Sequence, residues 1–231
     1  MIITALVILI ICLGSYTQAK QKRKIISSIT SPTRGEYSER DLIYRLVKCG
    51  IPENTIFHDV YVPHKGGHTQ IDVVVPTNVG VFVFEVKDYS GWIFGNGLRD
   101  KWTQVLSYGE EKHQFYNPIK QNEGHIEALK RSLPQFQNVP FFSIVVFYGS
   151  SEIRALSNVP ENCRVVYPSQ VAKLVKNSIA SLSPAPYTDK WEVMRFLKST
   201  MANGTNQEIV AEHLRRAQAA SRGKYKSTYN S

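Results

Sequence analysis

The chain has 231 residues, 42% of them hydrophobic, with a formal net charge of +9 and an isoelectric point near 9.4. That length holds one substantial core with short additions, since single cores serve about 100–200 residues, and the positive balance favours anionic partners, either nucleic acid or acidic lipid. The three cysteines, Cys12, Cys49 and Cys163, are widely spaced and form no CxxC, which excludes a zinc knuckle or finger and suits a reducing compartment better than a disulfide-built secreted scaffold.

Met1 to Thr17 carries no charged side chain. Its strongly apolar part, Met1 to Leu13, is shorter than the roughly 20 residues of a comfortable membrane span, and counting through Tyr16 and Thr17 brings it to the lower limit of about 17. No Lys or Arg precedes the run, whereas Lys20, Lys22, Arg23 and Lys24 follow it. A secretory signal has the opposite order, and the positive-inside rule then places the N-terminus outside and the body in the cytoplasm. The expectation is a transmembrane helix over residues 1–19 and a single-pass protein of the cell membrane. The rival is a cleaved signal ending near Thr17-Gln18-Ala19 and a secreted body. The four cations also lie where anionic headgroups would meet them.

Residues 20–33 read as a basic, polar linker with Pro32 near its end. A helix follows, capped by Ser31 or Thr33, with Glu36, Glu39 and Asp41 in its early turns and Leu42, Ile43, Leu46 and Val47 as its apolar face. Gly50 ends it. Thr55 to Val62 is β-rich, and His64-Lys65-Gly66-Gly67-His68 is a loop. Gln70 to Val75 and Gly80 to Lys87, separated by Pro76-Thr77-Asn78-Val79, read as an antiparallel hairpin. Trp92 to Phe94 adds a short strand, and Pro118 to Leu133 is helical. Phe141 to Tyr148 is a continuous apolar run of the kind buried on both faces, and Val165 to Tyr167 is a shorter one. Ser169 opens a helix to about Ile179, and Thr188 or Asp189 another to about Leu197. Residues 34–149 thus form the main domain and 150–202 complete it. Residues 203–231 hold an amphipathic helix near Ile209 to Leu214 and a polar tail from Ser221 expected to be disordered. This order predicts an α/β domain with a mixed sheet.

The chemistry concentrates in the hairpin. Strand side chains alternate, so Glu85 and Lys87 project from one face. If the turn closes on Asn78-Val79, Thr77 pairs with Gly80, and counting back sets Asp72 opposite Glu85. Directly opposed residues have Cβ atoms about 5 Å apart, where like charges repel, and a one-residue slip would separate the pair. Two such carboxylates need a cation. Lys87 is one candidate. A divalent ion is another, because magnesium takes one or two carboxylates plus water and phosphate oxygens, the equipment of phosphodiester hydrolysis.

Arg34-Gly35-Glu36, Gln70-Ile71-Asp72 and the run Gly80 to Lys87 followed by Gly91-Trp92 resemble the nuclease-related domain (NERD) family. Trp102 and Asn117-Pro118 with Gln121 and His125 continue the resemblance in order. It implies a restriction-endonuclease-like fold, a mixed central sheet flanked by helices, whose D-(D/E)-x-K core binds magnesium, with manganese as a substitute. It further implies Asp72, Glu85 and Glu36 as metal ligands, Lys87 as the catalytic lysine, and Gln121 as a polar group facing the site. DNA is the implied substrate, and RNA stays open.

Each residue also has a structural reading. Glu36 suits a helix's first turn for dipole reasons alone, and Gln121 suits a helix surface. Trp92 and Trp102 read as packing residues. His64 and His68 flank two glycines with no converging third ligand in sequence. Lys65, Lys112 and Lys120 are candidate phosphate-backbone contacts or a solvated basic face, diluted by Glu110 and Glu111. Two functions therefore stand side by side: a membrane-anchored, metal-dependent nuclease, and a non-catalytic tethered module that binds nucleic acid or a protein.

Overall fold

The apolar runs become strands, sorted into two sheets. The computed structural model describes residues 2–31, 34–106 and 109–227; Pro32, Thr33 and the last four residues of the tail lie outside that set. In chain order the elements are α1 (Ile2–Ile29), α2 (Tyr37–Lys48), β1 (Phe57–His64), β2 (Gly67–Pro76), β3 (Val81–Asp88), β4 (Gly91–Asn96), β5 (Lys101–Leu106), β6 (Glu111–Tyr116) and α3 (Pro118–Ser132). They continue with β7 (Phe141–Tyr148), β8 (Ser151–Ser157), β9 (Cys163–Val166), α4 (Pro168–Ser181), α5 (Lys190–Asn203) and α6 (Gln207–Ser227). The larger sheet has the order β1-β2-β3-β7-β9, antiparallel through β3 and parallel beyond it. The smaller sheet, β6-β5-β4-β8, is likewise mixed.

Burial explains the layering. Val73, Val75, Phe82 and Phe84 face α2 and α4, whereas Val74, Val81 and Val83 face α3 and α5, so β3 is apolar on both sides as a central strand must be. The small sheet packs Ile93 and Trp102 onto Phe147, and the Trp102 ring stacks on Phe147 with planes 2° apart. Trp102 is thus a packing residue. Its own strand and β6 and β8 escaped the sequence reading because Glu111-Lys112-His113-Gln114 and Ser151-Glu152 are polar and mostly exposed.

The hairpin closes where the count from Thr77 placed it. Thr77 N–H donates to Gly80 O at 2.8 Å, and the ladder runs from Pro76↔Val81 to Val73↔Phe84. One further step sets Asp72 opposite Glu85. On the other side of β2 there is an irregularity. Phe57 and Val60 both face the α3–α5 core, although strict alternation would put them on opposite faces. Asp59, between them, takes φ +56 and absorbs the difference. Beyond it Thr69 and Ile71, on the partner strand, face α3.

The N-terminal expectation requires correction. Among the described residues no helix is long and apolar enough to cross a membrane, so a single-pass membrane protein is not supported. The apolar run from Ile2 to Leu13 is only part of α1, and at 1.5 Å per residue it reaches about 18 Å of the roughly 30 Å hydrocarbon core. Lys20, Lys22, Arg23 and Lys24 follow on the same helix, which continues through the segment expected as a linker to Ile29. There it joins the domain. Ile25 is buried, Lys22 bonds Asp41 of α2 at 2.5 Å, and Thr30 bonds His58 at 2.8 Å. At the other end α6 is helical through Ser227, past the start of the expected disordered tail.

Candidate active site

The site lies where β2 and β3 leave their ladder. Past Val73↔Phe84 the Asp72 carboxylate itself accepts the Val86 N–H at 2.7 Å, so a side chain replaces a backbone partner there. Glu85 is 1% exposed, and both of its oxygens are engaged: Oε1 by the Lys87 ammonium at 2.6 Å, Oε2 by His125 Nε2 at 3.1 Å. The other ring nitrogen of His125 meets the Thr69 hydroxyl at 3.0 Å. From α3, Gln121 Oε1 accepts a hydrogen bond from Lys87 Nζ at 3.1 Å. One turn separates Gln121 from His125, so the same helix face holds the lysine and the carboxylate. Asn122, also buried, donates to Val83 O and Ser143 Oγ and fixes α3 against β3 and β7.

The electrostatics are unbalanced. Burial, then the charge of Glu85, then that of Glu39 push the Asp72 carboxyl well above the usual carboxylate range. Burial pushes Glu85 the same way, but Lys87 and His125 outweigh it and hold this carboxyl below its ordinary value. Burial works against the Lys87 ammonium, and the Glu85 and Asp72 charges overcome it, raising its pKa. One cation thus compensates Glu85 and leaves Asp72 strained against its neighbours.

Of the expected residues, Asp72, Glu85, Lys87 and Gln121 come together. Glu36 does not join them. It is the N-cap of α2, exposed, and makes no side-chain capping bond. The acid of this helix whose charge reaches Asp72 is Glu39, buried one turn further on and bonded to His58 at 2.8 Å. Helix periodicity carries the signal for it, since Glu39 shares the inward side with Leu42, Ile43 and Leu46. His125 has its own signal, the i+4 spacing from Gln121. The three lysines are scattered. Lys65 sits in the β1–β2 turn, Lys112 is exposed on β6, and Lys120 pairs with Asp100 at 2.7 Å.

The residues present fit a divalent ion of limited protein coordination. Among the described residues no group of three or more His, Cys, Asp or Glu side chains makes an all-protein metal centre. Asp72 and Glu85 would instead offer two carboxylates, the number magnesium takes when water and phosphate oxygens complete its sphere. The repulsion that raises the Asp72 pKa is what such an ion would relieve.

Fold and site together define a nuclease-related α/β domain. The profile of the nuclease-related domain (NERD) family matches residues 34–148, and through this domain the chain belongs to that family. An uncharacterized protein of Bacillus anthracis is 30% identical over 145 residues, which cover 62% of this chain and 66% of that relative. The chain therefore spans just under two thirds of the relative it matches. No solved structure matches the chain.

Proposed function

We propose that the domain is a metal-dependent nuclease that hydrolyses phosphodiester bonds in DNA. The observation that carries this reading is the opposed pair Asp72 and Glu85, with the Lys87 ammonium 2.6 Å from Glu85 and steadied by Gln121. Asp72 and Glu85 would hold the ion, magnesium or manganese, with Glu39 as a nearby third acid. When bound, such an ion polarises a phosphoryl oxygen and lowers the pKa of its water. The chain's own groups do the rest. Lys87 places a positive charge where negative charge develops in the transition state. His125 and Thr69 hold the Glu85 carboxylate in one orientation, and Gln121 keeps the ammonium from swinging away.

The test is cleavage of a DNA duplex by the full chain with magnesium. Asp72→Ala and Glu85→Gln are each expected to lower the rate at least about a thousandfold, or roughly 4 kcal/mol of transition-state stabilisation. Undiminished cutting by both variants assigns the activity elsewhere. Salt-sensitive DNA binding with no cutting, indifferent to metal, favours the alternative, a non-catalytic nucleic-acid-binding module.

A further inference from the structure

The turn of the β1–β2 hairpin, left-handed at Lys65 and Gly66 with φ +47 and +75, borders a cavity of about 450 Å³. His64, Lys65, His68, Arg131 and Glu212 line it. The Nδ1 atoms of His64 and His68 are buried there without a hydrogen-bond partner among the described residues. Helix α6 closes one side, with Arg216 donating to Gly66 O at 2.7 Å and His213 Nδ1 lying 3.2 Å from His68 O. Glu212 is paired with Arg216 at 3.1 Å and lies 4.0 Å from His68 Nδ1, beyond hydrogen-bond reach. Arg131 is held by Glu127 at 3.2 Å and stays exposed. Burial, then the charges of Arg131 and Lys65, lower the His64 pKa, so the cations converge on this ring. The exposed Lys65 and Arg131 on the cavity wall, with the two imidazole rings beside them, offer positive charge and donors to an anion with several acceptor oxygens.

The place matters as much as the chemistry. Strand β2 leads from His68 to Asp72, about 13 Å at 3.3 Å per residue. On the way Thr69 meets His125, which meets Glu85. Successive phosphates of one strand rise about 3.4 Å along the helix axis and also wind around it, so the cavity lies within a few nucleotides of the carboxylate pair. We propose that it holds a backbone phosphate of the same nucleic-acid strand that is cut at Asp72 and Glu85. The assignment rests on the nuclease reading and extends it, because the reaction centre itself offers the substrate a single lysine.

The experiment measures binding of a fluorescent 20-base-pair DNA duplex to the full chain in EDTA, as a function of salt, by anisotropy. Lys65 and Arg131 are both exposed, so the double variant Lys65→Ala/Arg131→Ala keeps the core intact. It is expected to bind at least tenfold more weakly, with a salt slope shallower by about 0.9, the contribution of one phosphate. Lys173→Ala, on α4 across the sheet, should match the wild type. Normal binding by the double variant, or an equal loss with Lys173→Ala, overturns the assignment. So does a shift of the His64 and His68 ring signals with inorganic phosphate when DNA binding ignores the double variant, which marks a free-anion site. Cutting is read separately with magnesium. Wild-type cutting combined with normal binding by the double variant removes the phosphate contact and leaves the nuclease. Loss of binding in a chain that never cuts keeps the contact and removes the nuclease.

Discussion

Replacing Lys87 by Met isolates the charge that compensates Glu85. The carboxylate is 1% exposed and takes the ammonium at 2.6 Å on Oε1 and His125 at 3.1 Å on Oε2. Removing one partner of a buried ion pair costs about 3–5 kcal/mol. The retained His125 bond, of a kind worth about 1.5–3 kcal/mol, limits the loss, so about 2–4 kcal/mol is expected near neutral pH. The pH dependence is the sharper readout. In the wild type the Glu85 pKa is depressed, so its contribution is present above the unfolded carboxyl pKa and is lost as pH falls through the folded value. Without Lys87, burial is opposed only by His125 and the pKa moves up. The variant then loses stability as pH rises through that higher value. The gap between the two proteins should be largest near pH 7.5 and shrink toward pH 4.5, as measured by urea unfolding. A gap of the same size at both pH values, or none at pH 7.5, would refute the assignment of Lys87 as the compensating charge.

Asp72→Asn removes a carboxylate whose pKa is raised, so the sign reverses. Its cost to the wild type sets in as pH rises above the unfolded carboxyl pKa, and the variant should melt higher at pH 7.5 in EDTA. Magnesium should raise the melting temperature of the wild type and leave this variant unmoved. His125→Ala frees the Glu85 carboxylate on one side. It should lower kcat with KM little changed and cost about 2–4 kcal/mol by urea unfolding, while His125→Gln restores part of the rate. Trp102→Ala empties the contact on Phe147 and should cost about 3–5 kcal/mol by the same measurement, because the indole is fully buried and bonds Asn96 O. Gly91→Ala drives a Cβ into the Val105 carbonyl oxygen at φ +76 and should destabilise the small sheet, seen as faster amide exchange in β4 and β5.

The hairpin was legible because its two determinants are local. A turn residue count and alternating Val, Ile and Phe set the register, and the register alone opposes Asp72 to Glu85. Gln121 was legible only through resemblance, since nothing in a helix sequence says which strand its surface faces. The choice of Glu36 over Glu39 shows the limit. The resemblance pointed to Glu36, which caps α2 and stays exposed, whereas the spacing of Glu39 from Leu42, Ile43 and Leu46 carried the buried acid. The small sheet was largely missed because its strands carry charged residues toward solvent, which weakens the period-2 signal. For the N-terminus, charge order gave the wrong answer because it orients a span without testing whether the apolar run is long enough; Lys22 is instead drawn to Asp41.

Two motifs that look independent along the chain meet at one residue. Arg34 binds the Asp59 carboxylate at 2.6 Å and its carbonyl at 3.0 Å, and Gln70 donates to the other carboxylate oxygen at 2.8 Å. Asp59 is thereby held at φ +56, a conformation that costs a non-glycine residue about 1–2 kcal/mol per position. That strained residue occupies the strand position facing Asp72 on β1, where the ladder skips from His58↔Val73 to Val60↔Ile71. The kink lets Thr69, Ile71 and Val74 all face the α3 side of the sheet, which regular alternation forbids. Thr69 can then reach His125 while Asp72 stays opposite Glu85. The arginine and the glutamine do not touch the carboxylate pair; they hold the bend that brings its supporting residues onto one face.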